Sequence, residues 1–113
     1  MYCGVYHVRI TSLAWAEWGL RFRELVWDER NEAHIARHGL GQLEVEEAAF
    51  DRTALTERAK GTQGRPRYLV LVATRSGKNL VIILEPLSDG SCYVVTAREM
   101  NRSENRRYRA RGK

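Results

Sequence analysis

The sequence predicts a single α+β domain: a small antiparallel sheet of about four strands, two helices near the N-terminus and one C-terminal helix. Three observations lead there. Helix start and stop signals crowd residues 28–50, whereas residues 67–97 hold three runs of bulky, β-branched and aromatic residues. Those runs are joined by short links with glycine at Gly77 and Gly90, which suit antiparallel neighbours. The length of 113 residues, with 43% hydrophobic and 29% charged, fits one domain around one core.

Each element follows in order. Residues 1–20 keep neither a helical nor a strand period and are expected to be an N-terminal extension: a short strand at 5–10 with a helical turn, a disordered segment, or sequence upstream of a true start near Leu20; the domain proper is 21–113. Residues 22–27 predict a first strand that stops at Asp28. Asp28 suits a helix N-cap, and Glu29 and Glu32 follow where the helix dipole favours acids. That helix should cover 29–38 and end at Gly39, which takes a left-handed conformation without Cβ strain. A second helix is expected at 43–50, with Leu43, Ala48 and Phe50 among its buried residues. A weak strand at 53–56 and a loop at 60–66 come next. Strong strands follow at 67–74, 79–85 and 91–97. Asn101 and Glu104 then stand at capping-box spacing and open a last helix to about residue 109. Only Met100, Tyr108 and Ala110 are apolar near it, so the sheet should be covered mainly on one face.

Charge is unevenly placed. From Arg98 onward seven basic residues face two acids, which matches the whole net charge of +5. Residues 58–78 carry a second basic block without an acid, and 44–57 carry an acidic one. Such segregation points to a polyanion-facing side. The two cysteines, Cys3 and Cys92, have no zinc-ligand spacing and read as reduced thiols of a cytoplasmic protein. No apolar run is long enough to span a bilayer, and His7 and Arg9 interrupt the only stretch that resembles an export signal. No cofactor or metal is expected.

The residues able to carry chemistry are few. His34 and His38 stand four apart on one helix face with Arg37 beside them; they fit either a titratable phosphate-facing surface or plain helix-end capping. Arg67 opens one strand and Arg98 closes another. Two converging guanidiniums would stabilise a phosphoryl transition state, and each is equally suited to an ion pair, for instance with Glu85 or Glu99. Arg65, Arg102, Arg106 and Arg107 are candidate phosphate contacts, and Tyr108 fits either base stacking or packing.

These residues resemble a known family. Val26-Trp27-Asp28-Glu29 followed by His34-Ile35-Ala36-Arg37-His38-Gly39-Leu40 resembles the opening of BrnT-like toxins. Glu46-Glu47-Ala48-Ala49-Phe50, Arg67-Tyr68-Leu69, Val95-Thr96-Ala97-Arg98 and the helix from Glu104 to Tyr108 are similar to its later motifs, in the same order. The family's pattern has asparagine where His34 stands and often glycine where Val72 stands. The resemblance implies a fold like that of RelE-type toxins. It also implies a metal-independent endoribonuclease that blocks translation and a DNA-binding antitoxin partner, in a homodimer or a toxin–antitoxin heterotetramer.

On this reading the substrate's 2′-OH attacks in line, Arg67 and Arg98 hold the scissile phosphate, and His34 or His38 moves a proton. Arg37, Arg65, Arg102, Arg106, Arg107 and Tyr108 bind the flanking RNA. The alternative is a non-catalytic nucleic-acid- or protein-binding module of the same fold. Convergence of Arg67, Arg98 and a helix-one histidine in one cleft separates the two; placement on opposite faces favours the module.

Overall fold

The computed structural model describes residues 22–59 and 65–110. The extension expected at 1–20, Cys3 and most of the loop at 60–66 lie outside the described residues. Within them, one sheet contains β1 (Glu24–Val26), β2 (Leu55–Ala59), β3 (Arg67–Ala73), β4 (Asn79–Pro86) and β5 (Ser91–Glu99), in the order β1-β5-β4-β3-β2. The helices are α1 (Glu29–Ala36), α2 (Gln42–Ala49) and α3 (Arg102–Ala110).

The described sheet thus has five strands, and it is mixed where an antiparallel one of about four was expected. β2 to β5 form the expected antiparallel meander, while β1 lies parallel to β5, with Glu24 beside Ser91 and Val26 beside Tyr93. Parallel neighbours need a long crossover, here everything between β1 and β5. Asn31 secures that pairing. Its buried side-chain amide donates to the carbonyls of Val26 and Val94, both at 3.0 Å. Its Oδ1 accepts from the Asp28 N–H at 2.8 Å, while the Asp28 carboxylate accepts from the Asn31 N–H at 2.9 Å. One side chain therefore caps α1 and ties it to both parallel strands.

The C-terminal end of α1 also follows from local chemistry. Gly39 has φ +76°, and the N–H groups of Gly39 and Leu40 return to the carbonyls of Ala36 and Ile35. α3 opens with the expected capping box, in which Asn101 and Glu104 each accept the other's backbone N–H at 2.8 Å.

Side-chain alternation gives the sheet two faces. Leu25, Val70, Val72, Leu80, Ile82, Leu84, Cys92, Val94 and Ala97 pack with Ile35 of α1 and with Val45, Ala48, Ala49 and Phe50 on α2 and at its end. On the other face Leu71 and Val81 pack under Met100 and Tyr108, with Leu69 and Ile83 only partly buried. A bulge at Val95 lets both Val94 and Ala97 point to the first face. Leu43, expected inside, is 69% exposed, because Val45, Ala48 and Ala49 already fill the inward arc of α2.

Candidate functional site

The face carrying α3 is covered by no other described helix, and its residues stand in rows set by strand register. One row crosses all five strands: Val26, Tyr93, Glu85, Arg67 and Ala59. Directly opposed residues have their Cβ atoms about 5 Å apart, so the row is continuous. The next row holds Thr96, Ile83, Leu69 and Glu57, and the one after it Arg98, Val81, Leu71 and Leu55. α3 lies over that third row, leaving the first uncovered by any described helix.

Glu85 is the centre of the first row. Its carboxylate receives Arg67 Nε at 3.3 Å and Arg65 Nη1 at 3.1 Å. Its side chain is 13% exposed, against 30% for Arg67 and 70% for Arg65, so the carboxylate lies beneath two guanidiniums that face water. On the other side, the Tyr93 hydroxyl donates to the Asp28 carboxylate. Burial and that hydrogen bond push the Tyr93 phenol up from its ordinary range, so it keeps its proton at neutral pH. The Asn31 N–H, helped by Tyr93, holds the Asp28 carboxyl below the usual range.

The fold does not gather the four residues expected to act together. Arg98 stands opposite Val81 and level with Leu71, four residues along β3 from Arg67. The two arginines are therefore separated by about 13 Å along the strands and about 10 Å across them. Arg98 is held in a bidentate pair with Glu104, both contacts at 2.9 Å, which clamps the start of α3 to the sheet. Its hydrogen bond to Arg98 is the main reason the Glu104 carboxyl lies below its ordinary range. His34 is exposed on α1 and His38 in the turn just past its end, on the other side of the sheet, with ring centroids 5.7 Å apart. A phosphate held by Arg67 is out of their reach.

The phosphate candidates divide likewise. Arg107 pairs with Glu57 at 2.8 Å, fastening the second half of α3 over the sheet. Arg102 and Arg106 are exposed on the outer side of α3, and Arg37 is exposed on α1. Tyr108 is 6% exposed and its hydroxyl accepts from the Ala73 N–H at 3.1 Å, just past the point where β2 stops pairing. That burial leaves no ring face for a base, so of its two expected roles the fold gives it packing. Cys92 is a free, buried thiol whose pKa is pushed up to about 12 by burial, an inert core residue. Among the described residues no three histidine, cysteine, aspartate or glutamate side chains gather in a group suited to one metal ion.

Against this geometry stands one family match. The model of the ribonuclease toxin BrnT of type II toxin–antitoxin systems matches residues 27–104 of the 113. The chain belongs to this family. The match runs from Trp27, ahead of the α1 cap, to Glu104, the partner of Arg98, and so takes in α1, α2, β2 to β5 and the whole uncovered row except Val26. A BrnT toxin, as part of a type II system, has an antitoxin for a partner. No curated protein matches the chain. Within the described residues no helix is long and apolar enough to cross a membrane.

Sequence reading missed two members of the row. Glu85 was legible only as a possible partner of Arg67, and Tyr93 carried no signal of its own. Both become visible once register is known, because Glu85 and Tyr93 oppose one another across β4 and β5.

Proposed function

We propose that this BrnT-family toxin is a metal-independent endoribonuclease of RelE-like fold, acting in the cytoplasm to cut RNA and so inhibit translation. One observation supports it most: a carboxylate flanked by two guanidiniums, next to a protonated phenol, on the uncovered part of the sheet. Arg65 and Arg67 hold the scissile phosphate and balance its extra negative charge in the transition state. Glu85 takes the proton of the 2′-OH, whose oxygen attacks the neighbouring phosphorus. The bond from phosphorus to the 5′-oxygen breaks, and that oxygen takes a proton from Tyr93. The products are a 2′,3′-cyclic phosphate and a free 5′-OH. Arg102 and Arg106, exposed on the outer side of α3, bind flanking phosphates. His34, His38 and Arg98 take no part in this scheme, because none of them stands in the row.

The test is purified protein with a single-stranded RNA, reading new 5′-OH ends. The expected result is cleavage that falls at least about a hundredfold in Glu85→Gln and in Arg67→Ala. Growth arrest on induction without an antitoxin should follow the same pattern.

A second reading is the one that the missing convergence favours, the first resting instead on the pairing of Arg65 and Arg67 with Glu85. Arg67, Arg98 and Arg107 are each already paired with a carboxylate, and the histidines and arginines do not share one cleft. On that reading the domain binds nucleic acid or protein without chemistry. Intact RNA and normal growth in the presence of folded, soluble protein would select it.

A further inference from the structure

We infer that the exposed flank of α1 is a second nucleic-acid contact, separate from the uncovered row and suited to the phosphate backbone of an RNA duplex. At about 100° per residue, Arg30, His34 and Arg37 fall within an arc of about 60°. The 5.7 Å ring separation places His38 on the same side as His34. Asn31 and Ile35 point into the core, and Glu29 and Glu32 occupy the far flank. The basic flank is about 12 Å long at 1.5 Å per residue. Lys78 continues it at the C-terminal end, where its Nζ lies 3.3 Å from the Gly39 carbonyl and 3.5 Å from Glu44.

In pairing this flank differs from the arginines tied to the sheet, and it shares its lack of ion pairs with the exposed Arg102, Arg106 and Arg109 of α3. The arginines that fasten the other face, Arg67, Arg98 and Arg107, each have a carboxylate partner. Arg30, His34, Arg37 and His38 are exposed, and none forms an ion pair among the described residues. Arg30 does help to lower the Asp28 carboxyl, but from beyond salt-bridge distance. These four side chains therefore do little for the fold, while Arg30 and Arg37 present charge on a rigid rod and the two histidines present ring N–H donors beside it.

The flank's chemistry narrows the partner. It has no large apolar side chain, and protein interfaces rely on buried aromatic or aliphatic anchors. Its only rings are the small imidazoles of His34 and His38; it has no phenylalanine, tyrosine or tryptophan to serve as the broad stacking platform of single-strand binders. What remains is contact with a regular phosphate backbone, made by the guanidiniums of Arg30 and Arg37 and by hydrogen bonds from the histidine rings. The choice of RNA over DNA rests on the proposed function, since the same chain would then meet a folded transcript whose loops reach the opposite face.

The experiment is fluorescence anisotropy of the full chain with a blunt RNA duplex of about 16 base pairs, between about 50 and 200 mM salt. The double variant R30A/R37A should bind at least about tenfold more weakly, with the salt slope reduced by about 2, or about 1 for each phosphate left without its arginine. Both positions are exposed, so its thermal melt should match the parent's. Arg52→Ala, which removes an exposed arginine outside both surfaces, should bind the duplex like the parent, and R30A/R37A should still cleave single-stranded RNA if the row is catalytic. Duplex binding that depends on α1 in a protein that cleaves nothing would sink the cleavage reading and leave this one standing. An unchanged slope in R30A/R37A would overturn it. So would equal affinity for duplex DNA, or equally effective competition by polyglutamate, which would point to an acidic protein.

Discussion

The two faces of the sheet are built from alternate residues of the same strands, yet they are finished differently. Ile82 is fully buried beneath α1 and α2, while its neighbour Ile83 points the other way and is only partly covered. The first face is closed by two helices whose apolar residues interlock with it. Among the described residues the second has one helix with two buried positions, Glu104 and Tyr108, and one of those is charged. α3 is therefore held largely by polar fasteners: Arg98 to Glu104, Arg107 to Glu57, and the Tyr108 hydroxyl to Ala73. A face closed by apolar packing is scaffold. A face half covered by polar ties leaves ionisable residues at the surface, where a substrate can meet them.

The largest test of this contrast is the isoleucine pair. Ile82→Ala should cost about 3–4 kcal/mol and Ile83→Ala about 1 kcal/mol in urea unfolding. Equal costs would mean that the second face is as closed as the first. Next comes the main fastener. Arg98→Ala should cost about 2 kcal/mol, because it leaves a nearly buried Glu104 without its partner, and joint replacement by Met and Leu should restore most of the loss. The pH dependence has a definite sign. Glu104 is depressed below its ordinary 4.5 in the fold, so its contribution is present above that value and lost as pH falls below it. Arg98→Ala should flatten that acid-side slope. Cleavage should fall only in step with folding, and a folded but inactive Arg98 variant would return Arg98 to the site.

A smaller effect is expected at Tyr108→Phe, about 1 kcal/mol, since the Ala73 N–H loses its acceptor. RNA affinity should not change; weaker binding in a variant of parental stability would show Tyr108 reaching the substrate. The smallest is at His34→Ala and His38→Ala, within about 0.5 kcal/mol in stability and with unaltered cleavage. A large loss of cleavage in either would mean that substrate links the two faces.

How far the sequence could be read depended on the range of each interaction. The Asp28 cap, the Gly39 stop and the Asn101–Glu104 box are formed within a few residues and were legible directly. The alternation in β3 and β4 was equally plain, and so the α+β class and the meander followed. Arg67 and Glu85 were visible as a possible pair because adjacent antiparallel strands bring them close. The first strand was legible as a strand, but its parallel pairing was not, for its three residues pair with a strand at the far end of the chain.

The sequence by itself determined the elements, their order, their caps and the family, because those depend on local hydrogen bonds, side-chain period and motif order. Only the tertiary structure decided that Arg67 and Arg98 occupy different rows, that Tyr108 is spent on packing, and that the histidines stand behind the sheet. Strand register and face come from long-range pairing, where a shift of one residue sends a side chain to the opposite side.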